Sequence, residues 1–520
     1  MGLPWDKPVP EELWEKVADY CCNDVDATEV VWVDRNADFI AREILADISG
    51  GSVNDTTNQL TGRLIFGNEK NPQKEFHWRD LSQPVYEMDA EMAAFLEEEF
   101  PEMMAERHGE LNSLLPYFPS YIHEKGKSIY LGEEVGEGGL VRAKPGYYED
   151  VVTYDVTSEH PHSAKAEYIF GKYTKIFRDL IRARVLIKKK DYEAAGKLFG
   201  GKLKKWLTNP EDAKALAGAL KIAINSVYGL TAAKFANLFK DPNNTDNIVA
   251  KRGALFMLDL MYAVESMGFE VVHIKTDSIK IAHPTPEIEK FVYDFGKRYG
   301  YTFEVEHKFE KFCLVNNAVY IAKCACDDPE TPGEWTATGA EFAVPYIFKT
   351  LFSKEPITFD DLCETKEVKA GDIYLDMNED LPQLTPDEEK FLEKMKKVWN
   401  SDAPNELEKL QKKLNISFED MGKLYSDLCA KEQSSHNHVF IGRIGQFCPM
   451  KPGAGGGVLY RVQNGKAYAI SGTTGYRWLE SEMVKTLHKE DLIDKDYFRA
   501  LVDSAKASIE EFVHFDDFVD

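Results

Sequence analysis

Apolar positions along this chain recur at two spacings, near 3.6 and near 2, and the switches between them mark its elements. Near the start, "EELWEKVADYCCNDVDATEVVW" spaces Leu13, Val17 and Cys21 four apart, which predicts one helix over the first 35 residues and puts Tyr20 and Asp24 on one face of it. From about Asp38 to Tyr130 the pattern is mixed: a turn-rich "SGGSVNDTTNQ" precedes an acidic helix, Met88 to Glu99, that Pro101 is expected to end. "GEGGLVRAKPGYYED" reads as a Gly/Pro-rich connector into "VVTYDV", a short strand ending in an acid. Helical spacing resumes in a basic tract from Lys172, in "AKALAGALKIAINSVYG", where Gly229 is expected to end the helix, and over Arg252 to Met267. The strand "FEVVHI", a turn from Lys275 to Asp277 and the strand "SIKIA" make a hairpin, and "FEKFCLVNNAVYIAK" makes a second, turning near Asn316-Asn317. Past Phe348 charged helices are expected; "TPDEEKF" supplies Thr385 as N-cap, Pro386 at the first position and Glu388 to close a capping box. "VLYRVQNGKAYAI" predicts a hairpin turning at Asn464-Gly465.

A chain of 520 residues exceeds one ordinary core, so two to four packed units are expected. No apolar run reaches the ~18 residues that span a bilayer, and the N-terminus lacks a basic-then-apolar leader. A cytoplasmic protein without a membrane partner is therefore expected, in the host cell cytoplasm if the chain is viral. Cys21, Cys22, Cys313, Cys324, Cys326, Cys363, Cys429 and Cys448 form no paired Cys-x-x-Cys spacings, which points to reduced thiols instead of a zinc ribbon or disulfide framework.

The formal net charge of −25 opposes a polyanionic partner when taken alone. Its distribution changes that picture. Lys172 to Lys205 holds twelve Lys/Arg against three acids, whereas Tyr86 to Glu110 holds nine acids and one Arg. One basic tract in an acidic shell suits a focused anion site, and a solvated charged helix is the plainer alternative. "GAGGG", Gly453 to Gly457, lacks a following Gly-Lys-Ser/Thr and precedes a strand, so it reads as a turn and not a phosphate loop.

Asp155 closes one predicted strand and Asp277 sits in the turn of another, 122 positions later. A lone turn aspartate is ordinarily turn chemistry. Two carboxylates brought together by an antiparallel sheet would repel unless a cation lay between them, and such hard oxygen ligands suit Mg²⁺ completed by water and substrate phosphates. Between the two acids, Arg184 and Lys188 share a helix face at i, i+4, and Lys221, Asn225 and Tyr228 share another at i, i+4, i+7.

"YDVTSEHPHS", "KIAINSVYG" and "IKTDSIKI" resemble, in order, motifs A, B and C of family B DNA polymerases: Asp-x-x-Ser-Leu-Tyr-Pro-Ser, Lys-x-x-x-Asn-Ser-x-Tyr-Gly and Tyr-x-Asp-Thr-Asp-Ser. The connector resembles that family's Tyr-x-Gly-Gly segment, with Gly136 in place of the tyrosine. The match covers roughly Gly136 to Gly339, and the chain as a whole is similar to a phage-type, actinobacteriophage-like replicative polymerase. The resemblance implies an α+β palm, fingers and thumb fold, the palm an antiparallel sheet with helices on one side and the fingers helical. It implies Asp155 and Asp277 as catalytic acids that bind two Mg²⁺ ions, for which Mn²⁺ can substitute, with the Val156 carbonyl as a further ligand. Ser158, His160, Arg184, Lys188, Lys221, Asn225 and Tyr228 would bind the nucleotide, and Thr276, Lys280 and Tyr320 would contact primer DNA.

The departures are Lys275 for the first Asp of motif C, Glu159 and His160 for the Leu-Tyr of motif A, and "VNNAVY", which keeps Tyr320 without the family's lysine. Lys275 lowers the local negative charge, and His160 puts discrimination against ribonucleotides in question. "DYCCNDVDAT" resembles the last motif, Tyr-x-x-x-Asp, of a 3′–5′ proofreading exonuclease, giving Tyr20 and Asp24. With only 19 residues before Tyr20, no proofreading is expected from this chain alone: it reads as a truncated product or as one half of a split polymerase, in which case a separate exonuclease subunit is a partner beside primer-template DNA and dNTPs. The implied divisions are 1–35 exonuclease remnant, 36–149 connector region, 150–171 palm, 172–235 fingers, 236–345 palm and 346–520 thumb. The expected activity is template-directed DNA synthesis. A reverse transcriptase is disfavoured by motif B, and the alternatives kept are a non-catalytic polymerase-like DNA-binding scaffold and half of a split enzyme.

Overall fold

The computed structural model describes residues 8–136, 139–377, 385–399, 411–412, 417–434, 438–464 and 466–520. Its contacts divide the chain into two units, Pro10–Thr338 and one built mainly from Gly339–Asp520.

The first unit begins with helices α1 (Trp14–Asp34), α2 (Asn36–Ser49), α3 (Thr57–Phe66), α4 (Ala90–Glu99) and α5 (Pro101–Ala105). Pro101 both ends α4 and opens α5, because its missing N–H has no role in a first turn. A small antiparallel meander, β1 (Ile122–Glu124), β2 (Lys127–Tyr130) and β3 (Glu133–Val135), leads to β4 (Val141–Ala143) and the long β5 (Gly146–Val156). β5 therefore begins inside the segment read as connector. Glu137 and Gly138 of that segment lie outside the described residues.

The chain then runs through α6 (Glu159–Ala166), α7 (Thr174–Lys188), α8 (Tyr192–Lys197), α9 (Pro210–Thr231) and α10 (Ile248–Ser266). It returns as β6 (Glu270–Lys275), β7 (Ser278–Ala282), α11 (Pro286–Arg298), β8 (Phe303–Asn316), β9 (Val319–Cys324) and β10 (Trp335–Thr338). Seven of these strands form one sheet in the order β10-β9-β8-β5-β7-β6-β4, every neighbouring pair antiparallel.

Alternation along the strands gives the sheet two unlike sides. Val152, Tyr154, Val156, Ile279 and Ile281 join the core beneath the helices, with Phe256 of α10 and Ile288, Val292 and Phe295 of α11. The residues between them, Thr153 and Asp155 with their cross-strand partners Lys280 and Ser278, point to the other side, where the apolar cluster is small and includes Val151, Phe309, Phe312 and Leu314.

α9 begins before the segment read as helical, with Asn209 Oδ1 accepting from the Asp212 N–H at 2.9 Å and Pro210 in the first turn. It does not stop at Gly229, which keeps helical geometry. Buried Leu230 and Thr231 extend the helix, and the Thr231 hydroxyl donates to the Tyr228 carbonyl at 2.8 Å. Packing thus overrides the glycine signal.

The second unit carries two antiparallel sheets, one of Glu364–Glu367, Ile444–Met450 and Arg477–Glu480 and the other of His438–Gly442, Asp372–Asp376, Val458–Gln463 and Lys466–Ala469; the last two strands are the hairpin expected from the sequence, and the charged composition hid the rest. Its core gathers Ile373, Leu375, Phe447, Leu459, Trp478 and Phe498. The Thr385 capping box forms as read, Thr385 N–H to Glu388 Oε2 at 2.7 Å and Glu388 N–H to Thr385 Oγ1 at 3.3 Å. Asn464 adopts the left-handed φ of 51° that its hairpin turn needs, while Gly465 lies outside the described residues. "GAGGG" is a turn, pinned by reciprocal backbone bonds of 2.8 and 2.9 Å between Gly457 and Trp478.

Candidate active site

Two short backbone segments carry the acids. Asp155, one residue before the end of β5, lies opposite Ser278 of β7 and Glu304 of β8. Asp277 is the second residue of the two-residue loop between β6 and β7. The segments are joined directly: the Val156 N–H donates to the Asp277 carbonyl at 2.9 Å, and on the other flank the Thr276 N–H donates to the Leu140 carbonyl at 2.8 Å. Lys275, the last residue of β6, is exposed.

Left-handed backbone flanks both acids. Thr276 has φ 58° and Ser158 φ 55°, conformations that non-glycine residues, and β-branched ones above all, adopt only when their surroundings over-determine them. At Thr276 the surroundings include Gly139, where a Cβ would approach the Thr276 Cγ2 to 3.0 Å.

Burial, then the Asp277 carboxylate, then Glu306 and Glu304, push Asp155 up to about 7. Glu304 and Glu306 were not singled out in the sequence, because their approach depends on the β5–β8 pairing. Lys280 opposes the cluster. It is 5% exposed, its ammonium lies 5.6 Å from the Tyr320 ring centroid, and burial holds it down to about 8 despite the pull of Glu306, Asp155 and Asp277. A lysine so buried is placed to offset carboxylate charge.

These shifts carry a stability consequence. Between an ordinary carboxylate value near pH 4 and about 7, the folded chain keeps a proton on Asp155 that the unfolded chain has lost, so the metal-free protein loses stability as pH rises through that window. Asp259, lifted to about 6 chiefly by burial, acts in the same direction. Asp155→Asn removes the larger of the two penalties. It is expected to melt ~1–3 °C above wild type at about pH 8 in chelator and level with it near pH 4 by scanning calorimetry; equal melting at both would contradict a buried charge at Asp155.

Beside the acids, His160 stacks on Tyr228 of α9, ring centroids 3.9 Å apart and planes at 28°. Glu159, first residue of α6, is 3% exposed, and burial followed by the fields of Asp277 and Asp155 holds it well above its ordinary value.

α7 and α9 pack against each other. Lys221 and Asn225 are exposed on α9, with Tyr228 half-buried in the same row, and on α7 Arg184 is half-buried and Lys188 exposed. The rest of the basic tract is largely consumed, and by the acidic helix flagged in the sequence: Lys175 pairs with Glu91 at 2.8 Å and Arg178 with Glu98 at 3.2 Å, while Arg182 reaches Glu98 at 3.8 Å. Lys172 pairs with Glu75 and Lys205 with Asp47 at 3.1 and 2.5 Å. Among the described residues of the tract, Arg184, Lys188, Lys189, Lys190, Lys202 and Lys204 have no ion-pair partner, nor has Lys221 on α9, so the end of α7 and Lys221 keep free positive charge.

Tyr20 and Asp24 are exposed on α1, away from any described grouping of three metal-ligating side chains. One such grouping is found among the described residues, His307, Cys324 and Asp328, with ligand atoms within 4.8 Å. Its carboxylate is already filled by the N–H groups of Lys308, Glu330 and Thr331 at 2.7, 3.0 and 2.6 Å, the pattern of a turn organiser. Asp155 and Asp277 together offer two carboxylates with open coordination, enough for Mg²⁺ when water and a substrate supply the rest.

No helix among the described residues is long and apolar enough to cross a membrane. No family model matches the sequence, and no curated protein matches it. Among solved structures, the family B DNA polymerase from the hyperthermophilic archaeon Pyrobaculum calidifontis is similar, at 12% identity and a TM-score of 0.40, over 97% of this chain and 57% of that one. The chain spans little more than half the length of that polymerase.

Proposed function

We propose that this protein is a template-directed DNA polymerase of the family B kind, adding a deoxynucleoside monophosphate to a primer 3′-hydroxyl and releasing pyrophosphate. The observation that carries the reading is the union of Asp155 near the end of β5 and Asp277 in the β6–β7 loop through the Val156 to Asp277 hydrogen bond, with the three motif resemblances supplying the class of chemistry. In this reading the β4–β10 sheet is the palm, α7 and α9 are the fingers, and the second unit is the thumb.

Asp155 and Asp277, with the Val156 carbonyl, would hold two Mg²⁺ ions, which when bound favour the alkoxide of the primer terminus and offset charge on the leaving pyrophosphate. The chain's own groups do the remainder. Arg184, Lys188 and Lys221 bind the triphosphate oxygens, the His160–Tyr228 stack bounds the nucleotide pocket, and Ser158 and Asn225 line it. Thr276 and Tyr320 flank the primer end. Catalysis of this kind is positioning and charge stabilisation, and the two strained residues beside the acids are the cost of fixing them.

Lys221→Ala is expected to lower kcat/KM for dNTPs about 10- to 100-fold, mostly through KM, because a charge-assisted contact of ~1.5–3 kcal/mol to phosphate is lost. Steady-state single-nucleotide incorporation reads this, and an unchanged KM would remove Lys221 from the triphosphate site.

A DNA-binding scaffold is the second reading, favoured by the buried Lys280 ammonium among the acids. Filter binding run beside primer extension separates the two: a scaffold retains primer-template with no Mg²⁺-dependent extension. An exonuclease supplied by a separate chain belongs to the polymerase reading. Proofreading that appears only when such a chain is added would bear it out.

A further inference from the structure

Burying a third acid beside Asp155 and Asp277 is costly, and the fold makes specific room for it. Glu159 projects from the first turn of α6 toward α10, where Gly253 stands in the helix interior. A Cβ on Gly253 would lie 1.8 Å from Glu159 Oε1 and 2.4 Å from its Cδ, so the carboxyl occupies the space that any other residue would fill. Glycine is a poor helix former, and here it yields a notch shaped for one side chain.

The polar atoms show what the notch is for. Glu159 Oε1 and His160 Nδ1 are both buried without a hydrogen-bond partner, while Glu159 Oε2 lies 3.4 Å from that Nδ1. A small rotation closes the gap to hydrogen-bond length. Because the charged carboxylate is disfavoured by burial and by the neighbouring acids, and burial also favours neutral imidazole, the acid O–H donates and Nδ1 accepts, leaving the ring proton on Nε2.

We propose that Glu159 is a positioning residue: seated in the Gly253 notch, its carboxyl hydrogen-bonds His160 Nδ1 and fixes the imidazole against Tyr228 as the wall that meets the sugar of the incoming nucleotide. The ligand's identity rests on the polymerase reading; the contact itself does not.

Two measurements on the full chain test this. In metal-free protein labelled with ¹⁵N-histidine, the His160 signal, identified by its loss in His160→Gln, is expected to show the Nε2–H tautomer in wild type and Glu159→Gln, and mixed tautomers in Glu159→Leu. In single-nucleotide incorporation with dATP and ATP, Glu159→Leu and Gly253→Ala are expected to lose about 3- to 10-fold in preference for the deoxynucleotide, with Glu159→Gln close to wild type. Gly253→Ala, which favours its helix, keeps the test decisive where Glu159→Leu folds poorly. Wild-type tautomer and discrimination in Glu159→Leu would overturn the proposal, as would Glu159→Gln failing as badly as leucine. A wild type that incorporates nothing would sink the polymerase reading, and the tautomer measurement would still decide the contact.

Discussion

Asp277→Ala is expected to abolish primer extension, by about 10³-fold or more, while leaving primer-template binding by filter retention close to wild type. A divalent ion held by both acids contributes several kcal/mol of charge stabilisation, and ~4 kcal/mol corresponds to three decades of rate. Asp155 alone cannot replace the pair, since one carboxylate leaves the second ion without its protein ligand; in wild type Asp155 is itself lifted to about 7 by burial and by Asp277. The same variant should let Asp155 ionise at lower pH, so its residual activity at high Mn²⁺ is expected to persist to more acidic pH than that of wild type. Extension within tenfold of wild type would remove Asp277 from the reaction.

The largest stability effect is expected from Glu167→Ala. Glu167, just past the end of α6, takes Arg79 at 2.5 Å on one side and Arg252 at 2.7 Å on the other, and its side chain is 1% exposed. Arg252 is fully buried and keeps, besides, the Tyr299 carbonyl at 2.6 Å and the Tyr301 ring at 4.9 Å. Deleting the carboxylate leaves that guanidinium buried and uncompensated, at a cost of ~3–5 kcal/mol in denaturant unfolding. Glu167 also fixes α6 against α10, the two helices that seat Glu159. The variant should therefore lose activity beyond its loss of folded protein, and an unfolding midpoint unchanged from wild type would contradict the role given to this triad.

What the sequence showed and what it hid divide along one physical line. Local geometry was legible: the Thr385–Glu388 capping box, the turn bearing Asp277 and the shared row of Lys221, Asn225 and Tyr228 all follow from spacing within one or two turns. Long-range pairing was not. The acidic and basic segments looked like independent features, yet Glu91, Glu98 and Glu99 largely neutralise the first half of α7, and only the structure shows which cations are left. Glu304 and Glu306 reach Asp155 through pairing of strands far apart in the sequence, and Glu159 could be seen as a departure from a motif but not as a buried group matched to Gly253. Apart from the hairpin of Val458–Gln463 and Lys466–Ala469, the strands of the second unit escaped notice because they are four to seven residues long and carry charged positions, so their period of two is too short-lived to stand out.

The central claim is that Asp155 and Asp277 together support metal-dependent, templated nucleotide addition. It is tested most directly by offering wild type and Asp277→Ala a labelled primer-template with each dNTP singly, in Mg²⁺ and in chelator. The account predicts that wild type adds only the nucleotide complementary to the template base, only with Mg²⁺, and that the variant adds none. Retention of primer-template by wild type with no addition under any of these conditions would contradict it.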